Sequence, residues 1–387
     1  MKKQRTKILF DAVALAQIKP TGVGRAAFGL IQSIAEAHPD DVELVGHYFD
    51  FLGRKQGKIR LPIAPNIRYQ RTVLLPGKVF NMLRRLRIPV FFEFLIKERG
   101  DFILFPNYIG WPSLFRTPSA PYVHDATYID LPEYVNRQNL FDLRTLMPST
   151  FRRSSFTITD TVSSQNGIQD AYPDYSKPFV IAHIPLVGAD AIPEKQATAE
   201  VEKLGITKPY ILFFGTLEPR KNLIGLLDAY RTLPNEITDR YSLVIGGGKG
   251  WNDDEIVTAI QRAKDSGLDV IETGYVTDDQ RGALFTKATL YIMPSFYEGF
   301  GMPLLEAMFY RTPIIASNIA VLKEVAGDAA LFCDTSPESI SKAITKLLND
   351  EPMQKKLVEN GTKRLKHFTW EKVANDVFAA IEKSLGR

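Results

Sequence analysis

The stretch Ser295-Phe296-Tyr297-Glu298-Gly299-Phe300-Gly301-Met302-Pro303-Leu304-Leu305-Glu306-Ala307-Met308 decides how this chain is read. It follows Ala288-Thr289-Leu290-Tyr291-Ile292-Met293-Pro294, an apolar run of the length of a buried strand. Pro303 stands where a helix opens, because a first-turn proline gives up an N–H that has no helical partner anyway. Two glycines let a bulky ligand approach bare backbone, and the N–H groups of a helix start attract an anion. Glu298 and Glu306 bracket this loop. Carboxylates beside a phosphate would repel it, so they fit better as acceptors for sugar hydroxyls. Hydroxyls next to a diphosphate point to a nucleotide sugar.

Outward from this stretch the same strand–loop–helix pattern repeats. Strands are expected at 210–214, 241–245, 270–272, 312–316 and 329–332, with a helix over 222–233. In the first half they are expected at 7–13, 42–48, 102–105, 122–124 and 156–159. A glycine-rich turn, Thr21-Gly22-Val23-Gly24-Arg25, precedes a helix over 26–37, but a lone glycine pair is a weak signal. The alternation predicts an α/β fold with mainly parallel sheets and helices on both faces. A chain of 387 residues exceeds one ordinary core. The expected organisation is two doubly wound, Rossmann-like domains, 1–187 and 188–368, facing an interdomain cleft, with a closing amphipathic helix in 369–387. The join lies between Leu186 and Lys208, where 188–196 reads as polar and strandless. Ligands in such sheets sit outside the carboxyl ends of the strands.

Hydrophobic residues make up 45% and charged residues 24%, the balance of a soluble globular protein. One cysteine, Cys333, excludes an internal disulfide framework and fits a reducing compartment. The basic start runs into an apolar segment too short for a signal peptide, and no stretch reaches the length of a membrane span. The expected location is the cytoplasm, with peripheral contact at the inner membrane face. Residues 1–187 hold 24 lysines and arginines against 16 aspartates and glutamates, and the remainder is net acidic. The first half is thus suited to an anionic partner, although scattered solubilising charge gives the same count.

Gly215-Thr216-Leu217-Glu218-Pro219-Arg220-Lys221-Asn222 lies between a strand and a helix. Arg220 can grip two phosphate oxygens and Lys221 adds a point charge. Such groups neutralise a diphosphate leaving group without a metal. Cations at a helix start oppose the helix dipole, which counts against a merely solvated face. His124-Asp125 ends an apolar run and is either a satisfied core pair or part of the site. No Asp-x-Asp stands at a strand end, and no histidine suggests a metal site, so neither metal nor cofactor is expected.

Gly-x-x-x-x-Arg-Lys-Asn, followed by Glu-Gly-Phe-Gly-x-Pro-x-x-Glu-Ala-Met, resembles the family-4 (GT4, group 1) retaining glycosyltransferases of GT-B fold, and their mannosyltransferase-like members in particular. The likeness covers the second half well and the first half more thinly, through Gly22-Val23-Gly24-Arg25, His124-Asp125, Pro132-Glu133-Tyr134 and Phe368-Thr369-Trp370-Glu371. The resemblance implies that Glu306 accepts both ribose hydroxyls and Glu298 holds hydroxyls of the transferred sugar. Backbone N–H groups of Phe300, Gly301, Met302, Pro303 and Leu304 would position sugar and phosphate. Arg220 and Lys221, beside Gly215, would bind the diphosphate, and Tyr275 and Val276 the base. Gly22 and Gly24 would let the first domain close on the diphosphate, and His124 would touch the sugar. The catalytic set is therefore Glu298, His124, Arg220 and Lys221. Where many relatives carry an aromatic residue after Gly24-Arg25, this chain has Ala26-Ala27.

Asp125, Asn107, Tyr108 and Trp111 are the expected acceptor contacts, since aromatic faces suit sugar stacking. Segment 78–92 mixes arginines with bulky apolar residues, suited either to an anionic bilayer or to a core helix with a basic outer side. The expected reaction is metal-independent hexosyl transfer from a nucleoside-diphosphate sugar; the resemblance implies that it is retaining and that the donor is GDP-mannose, with a UDP-hexose as alternative. The acceptor is a saccharide or lipid-linked molecule of glycan synthesis. Rivals are a nucleotide-sugar epimerase or hydrolase on the same scaffold, and a non-catalytic sugar-nucleotide-binding protein. No nucleic-acid-binding module is present.

Overall fold

The computed structural model describes residues 5–18, 22–86, 88–186, 189–248, 250 and 253–387. Thr21 of the glycine-rich turn, Arg87 of the basic segment and Gly188 of the join lie outside them. The chain divides into two units, Met1–Val187 with Thr369–Arg387, and Gly188–Phe368.

The first unit carries β1 (Thr6–Asp11), β2 (Val42–Phe49), β3 (Ile67–Thr72), β4 (Phe102–Phe105) and β5 (Ser119–Pro121). They form one sheet in the order β3-β2-β1-β4-β5, parallel throughout. A separate parallel pair, β6 (Thr157–Thr159) and β7 (Phe179–Ile181), is linked to it by a bridge between Tyr122 and Ile158. The central strands are covered on both faces, and Ile8, Leu9, Phe10, Ile103 and Leu104 are fully buried. Helix Gly22–Ala37 packs against the final helix, Trp370–Ser384. A Cβ at Gly29 would sit 2.0 Å from the Trp370 ring, so only glycine admits that indole.

In the second unit β8 (Tyr210–Phe214), β9 (Ser242–Gly246), β10 (Val270–Gly274), β11 (Leu290–Met293), β12 (Ile314–Ser317) and β13 (Ala330–Cys333) form a parallel sheet. Its order is β10-β9-β8-β11-β12-β13. Counted from the unit's own first strand this is the doubly wound 3-2-1-4-5-6 arrangement, with its switch point between β8 and β11. Cys333 is buried at the end of β13, and burial pushes its thiol up to about 11, which leaves it inert.

The α/β reading holds, and three local expectations are corrected. Gly22 and Gly24 sit inside the first turn of a helix rather than in an open turn. The strand expected at 122–124 lies earlier, at Ser119–Pro121, because beyond Pro121 the chain leaves β4: the Tyr122 amide still donates to the Phe105 carbonyl, but the Val123 amide donates to the Ile158 carbonyl of β6. The join, read as polar and strandless, contains a helix, Glu194–Lys203, started by Pro193 with Glu194 in its first turn. β3 and β7, absent from the expectations, are edge strands whose half-exposed residues dilute the apolar signal.

Candidate active site

In the second unit the switch point gathers the loop after β8 and the loop after β11. Asn222 adopts a left-handed backbone (φ 56°) between Lys221 and the helix Leu223–Arg231. Its side-chain amide offsets that strain by donating to the carbonyls of Pro294, 3.0 Å, and Thr335, 2.9 Å. The Phe296 amide donates to the Arg220 carbonyl at 2.8 Å. The two loops are thus laced together before any side-chain charge is considered. At the opening of helix Met302–Phe309, Gly301 holds φ 96°, and a Cβ there would meet the Leu322 side chain at 2.9 Å. Gly215 is tied to its neighbour strands through its amide, which donates to the Gly246 carbonyl at 2.9 Å.

Glu298 lies at the centre of this cluster and is buried. Its Oε1 accepts from Lys221 Nζ at 2.5 Å and Ser295 Oγ at 2.7 Å, and its Oε2 accepts from Arg220 Nη1 at 2.7 Å. Arg220 Nε also donates to Glu218 Oε2 at 2.8 Å, and Nη1 reaches the Tyr297 carbonyl at 3.1 Å. Burial alone would raise the Glu298 pKa. The charges of Arg220 and Lys221 and the hydrogen bonds overcome it, holding the carboxyl at about 2. Burial pulls the Lys221 ammonium below its ordinary range, and Glu298 opposes that shift.

The sequence leads one to expect two cations open to a diphosphate and an acid set apart from them. Instead both cations are engaged by carboxylates, Arg220 by Glu218 and Glu298 and Lys221 by Glu298. Unpaired charges at this depth would be costly, so the resting site neutralises itself. Glu306, on the second turn of its helix, pairs with Arg281 at 3.3 Å, and Arg281 also reaches Asp278 at 3.1 Å. The two glutamates share a neighbourhood: the phenol of Tyr291 on β11 is pushed well above its ordinary range by burial and then by the charges of Glu298 and Glu306.

Of the expected backbone donors, Pro303 has no N–H and the Leu304 amide is committed to the Gly301 carbonyl at 2.9 Å. Those two are withdrawn as donors, while Phe300 and Leu304 pack in the interior. Val276 is buried and Tyr275 is 85% exposed, just past Gly274, which holds φ 65°.

The first unit has its own switch point, between β1 and β4, and a cavity of about 450 Å³ opens there. Asp11 from the end of β1 and Asn107, Tyr108 and Trp111 from the loop after β4 line it. Trp111 is no free stacking platform. Its ring is capped by the Arg84 guanidinium at 4.0 Å and its Nε1 donates to Asp11 Oδ2 at 2.9 Å. Asp125 is a capping carboxylate, accepting from the Thr127 amide at 3.0 Å and the Tyr108 hydroxyl at 3.1 Å, and it does not line the cavity.

His124 is buried after β5, packed on Tyr122 with ring centroids 4.3 Å apart. Its Nδ1 lies 3.0 Å from Asp160 Oδ2, and its Nε2 is buried with no partner among the described residues. Burial disfavours the imidazolium, but the charge and hydrogen bond of Asp160 outweigh it and raise the pKa. A raised histidine pKa stabilises the fold below the ordinary value of 6.5 and loses that contribution as pH rises through the raised value. Asp160→Asn should abolish this pH dependence of the melting temperature. If Asp160 orients a working His124, turnover should also drop about tenfold to a hundredfold and its pH profile should lose the same step. An unchanged pH profile would show the pair to be structural only.

Residues 195–364 match the family model described as Glycosyl transferases group 1. The O-antigen chain mannosyltransferase B of Escherichia coli is 28% identical over 378 residues, spanning 94% of this chain and 96% of that protein. The serotype-specific mannosyltransferase WbdA of Escherichia coli is 34% identical over 185 residues, 47% of this chain and 22% of that longer protein. The sucrose-phosphate synthase of Thermosynechococcus elongatus superposes with a TM-score of 0.72 over 98% of this chain and 99% of its own, at 16% identity. This chain is a glycosyltransferase, and its residues 195–364 are similar to group 1. Its fold is GT-B, two doubly wound units each with a switch point. The glycosyltransferase carries four candidate residues that sequence reading missed: Asp11, Asp160, Glu218 and Arg281. Glu218 stood in the quoted motif. The others lie at strand ends or on a helix, where only tertiary pairing gives them meaning.

Proposed function

We propose that this glycosyltransferase moves a mannosyl unit from GDP-mannose, with retention and without a metal, onto the end of a saccharide chain, free or lipid-linked. The observation that carries the mechanism is Glu298, ionised and neutralised by Arg220 and Lys221 beside a helix start. A carboxylate offers about four lone-pair sites, and three donors occupy Glu298, which leaves one for a sugar hydroxyl. A carboxylate with a pKa near 2 and two cations on it is a poor nucleophile, which argues against a glycosyl-enzyme intermediate. A single front-face displacement fits better. The acceptor oxygen bonds to the anomeric carbon as the bond to the leaving phosphate breaks, and that phosphate takes the acceptor proton. Arg220 and Lys221 then exchange part of their pairing with Glu298 and Glu218 for the developing phosphate charge. Glu306 would take the ribose hydroxyls. Asp11 and Asn107 supply polar contacts for the acceptor in the cavity of the first unit.

The sugar is argued from the mannosyltransferases among the relatives, one of which matches nearly the whole chain. The exposed apolar side chains Met82, Leu86 and Ile88 in the basic segment support contact of the first unit with a membrane. Incubation with a panel of nucleotide sugars, with and without acceptor glycan and a chelator, followed by product mass and linkage analysis, tests the whole reading. The expected result is chelator-insensitive extension from GDP-mannose with an α-linked product. Turnover only of a UDP-hexose would overturn the donor. Conversion of the donor alone would mark an epimerase or hydrolase, and absence of nucleotide binding a scaffold.

A further inference from the structure

A second cavity of about 450 Å³ in the first unit is lined by Arg84, Arg152 and Arg153 and otherwise by uncharged residues, with no carboxylate. The two guanidiniums of Arg84 and Arg153 converge on a single acceptor, the Gly110 carbonyl, at 3.3 and 3.4 Å. None of the three arginines forms an ion pair among the described residues. Their neighbour Arg85 shows the contrast, clamped at both nitrogens by Asp142 at 2.6 Å. The crowding has a cost. Burial first, with the Arg153 charge adding to it, brings Arg84 down to about 10, against the pull of Asp11 and Asp142. Burial and the adjacent Arg152 lower Arg153 as well. Like charges gathered around a void with no acid among its walls form a site whose missing component is an anion.

The surroundings say which anion. Ile88 in the lining is 47% exposed, and Leu86 beside it on the chain is 63% exposed. A soluble phosphate gains nothing from such a rim. A phospholipid does, since its phosphate sits one step from the acyl boundary that these side chains would enter. We propose that this cavity receives the phosphate of an anionic membrane lipid, with Leu86 and Ile88 dipping into the bilayer around it. This deepens the membrane contact proposed above, on which it rests, and is independent of the donor and of the sugar transferred.

Sedimentation of the full chain with phosphatidylcholine vesicles, alone or mixed with phosphatidylglycerol, tests it. The wild-type chain should bind the anionic vesicles preferentially. The double substitution Arg152→Gln/Arg153→Gln should weaken that binding by about tenfold or more, and Leu86→Glu should weaken it too. Arg144→Gln, an exposed arginine of the same helix outside the cavity, should change it by no more than about twofold. Transfer to a soluble acceptor and the melting temperature should stay at wild-type values in all three variants. Wild-type chain that ignores anionic vesicles overturns the membrane contact itself. Binding that survives the double substitution, or that falls equally in Arg144→Gln, overturns the cavity while leaving a diffuse contact. Thermal stabilisation by inorganic phosphate that needs Arg152 and Arg153, without vesicle binding, marks a soluble-anion site and overturns the lipid assignment.

Discussion

Glu298→Ala should reduce sugar transfer by at least about a hundredfold and, in the absence of nucleotide, destabilise the second unit. The stability effect follows from what the substitution leaves behind. Arg220 and Lys221 are held against one carboxylate in a buried pocket, and removing it leaves two like charges side by side. Loss of one partner from a buried ion pair costs about 3–5 kcal/mol. Glu218 retains Arg220, so the lower end of that range is expected, expressed as a fall in melting temperature. Nucleoside diphosphate should restore much of the lost stability, because its phosphates offer the charge that Glu298 no longer supplies. The variant should therefore bind nucleoside diphosphate at least as well as the wild-type chain while failing in transfer. Melting curves with and without GDP, beside a transfer assay, separate the cases. Wild-type turnover would remove Glu298 from the mechanism, and a melting temperature that GDP fails to raise would place the two cations elsewhere than at the diphosphate.

Arg220→Ala should act in the opposite sense on nucleotide affinity. It removes one of two cations from a cluster in which two carboxylates, Glu218 and Glu298, already balance them. The remaining site carries an excess of buried negative charge, which repels a diphosphate. Loss of a charge-assisted hydrogen bond at this depth costs about 1.5–3 kcal/mol, roughly ten- to a hundredfold in Kd. Calorimetry with GDP gives the number directly. Lysine at position 220 should recover part of the loss but not the fork that spans Glu218 and Glu298 at once. Affinity unchanged in Arg220→Ala would show that this guanidinium serves only to hold the loops.

How far the sequence carried the reading depended on where the information sits. The buried parallel strands were legible because Tyr210–Phe214 and Phe102–Phe105 are continuous apolar runs bounded by turn residues. Ile67–Thr72 was not, because an edge strand exposes half of its side chains and loses that contrast. At the site, Arg220, Lys221, Glu298 and Glu306 could be named from two motifs, since their loops fall at strand ends. Their pairing could not. Arg220 and Glu298 are 78 positions apart, and only folding brings the cations onto the acid rather than leaving them across from it. Trp111 failed as a stacking face for the same reason: Arg84 comes from a different element and covers it. Asp160 was invisible because nothing near it in sequence marks a carboxylate as the partner of His124.

The indole of Trp370 resting in the notch left by Gly29 has a bearing on biosynthesis. The chain begins the first unit, builds the whole of the second, and only then supplies the helix that finishes the first. On the ribosome, the second unit emerges complete while the earlier one still waits for its last buried face. Quality control would thus meet an unfinished amino-terminal half for most of translation, and a stop codon just ahead of Thr369 would injure the half of the protein made first.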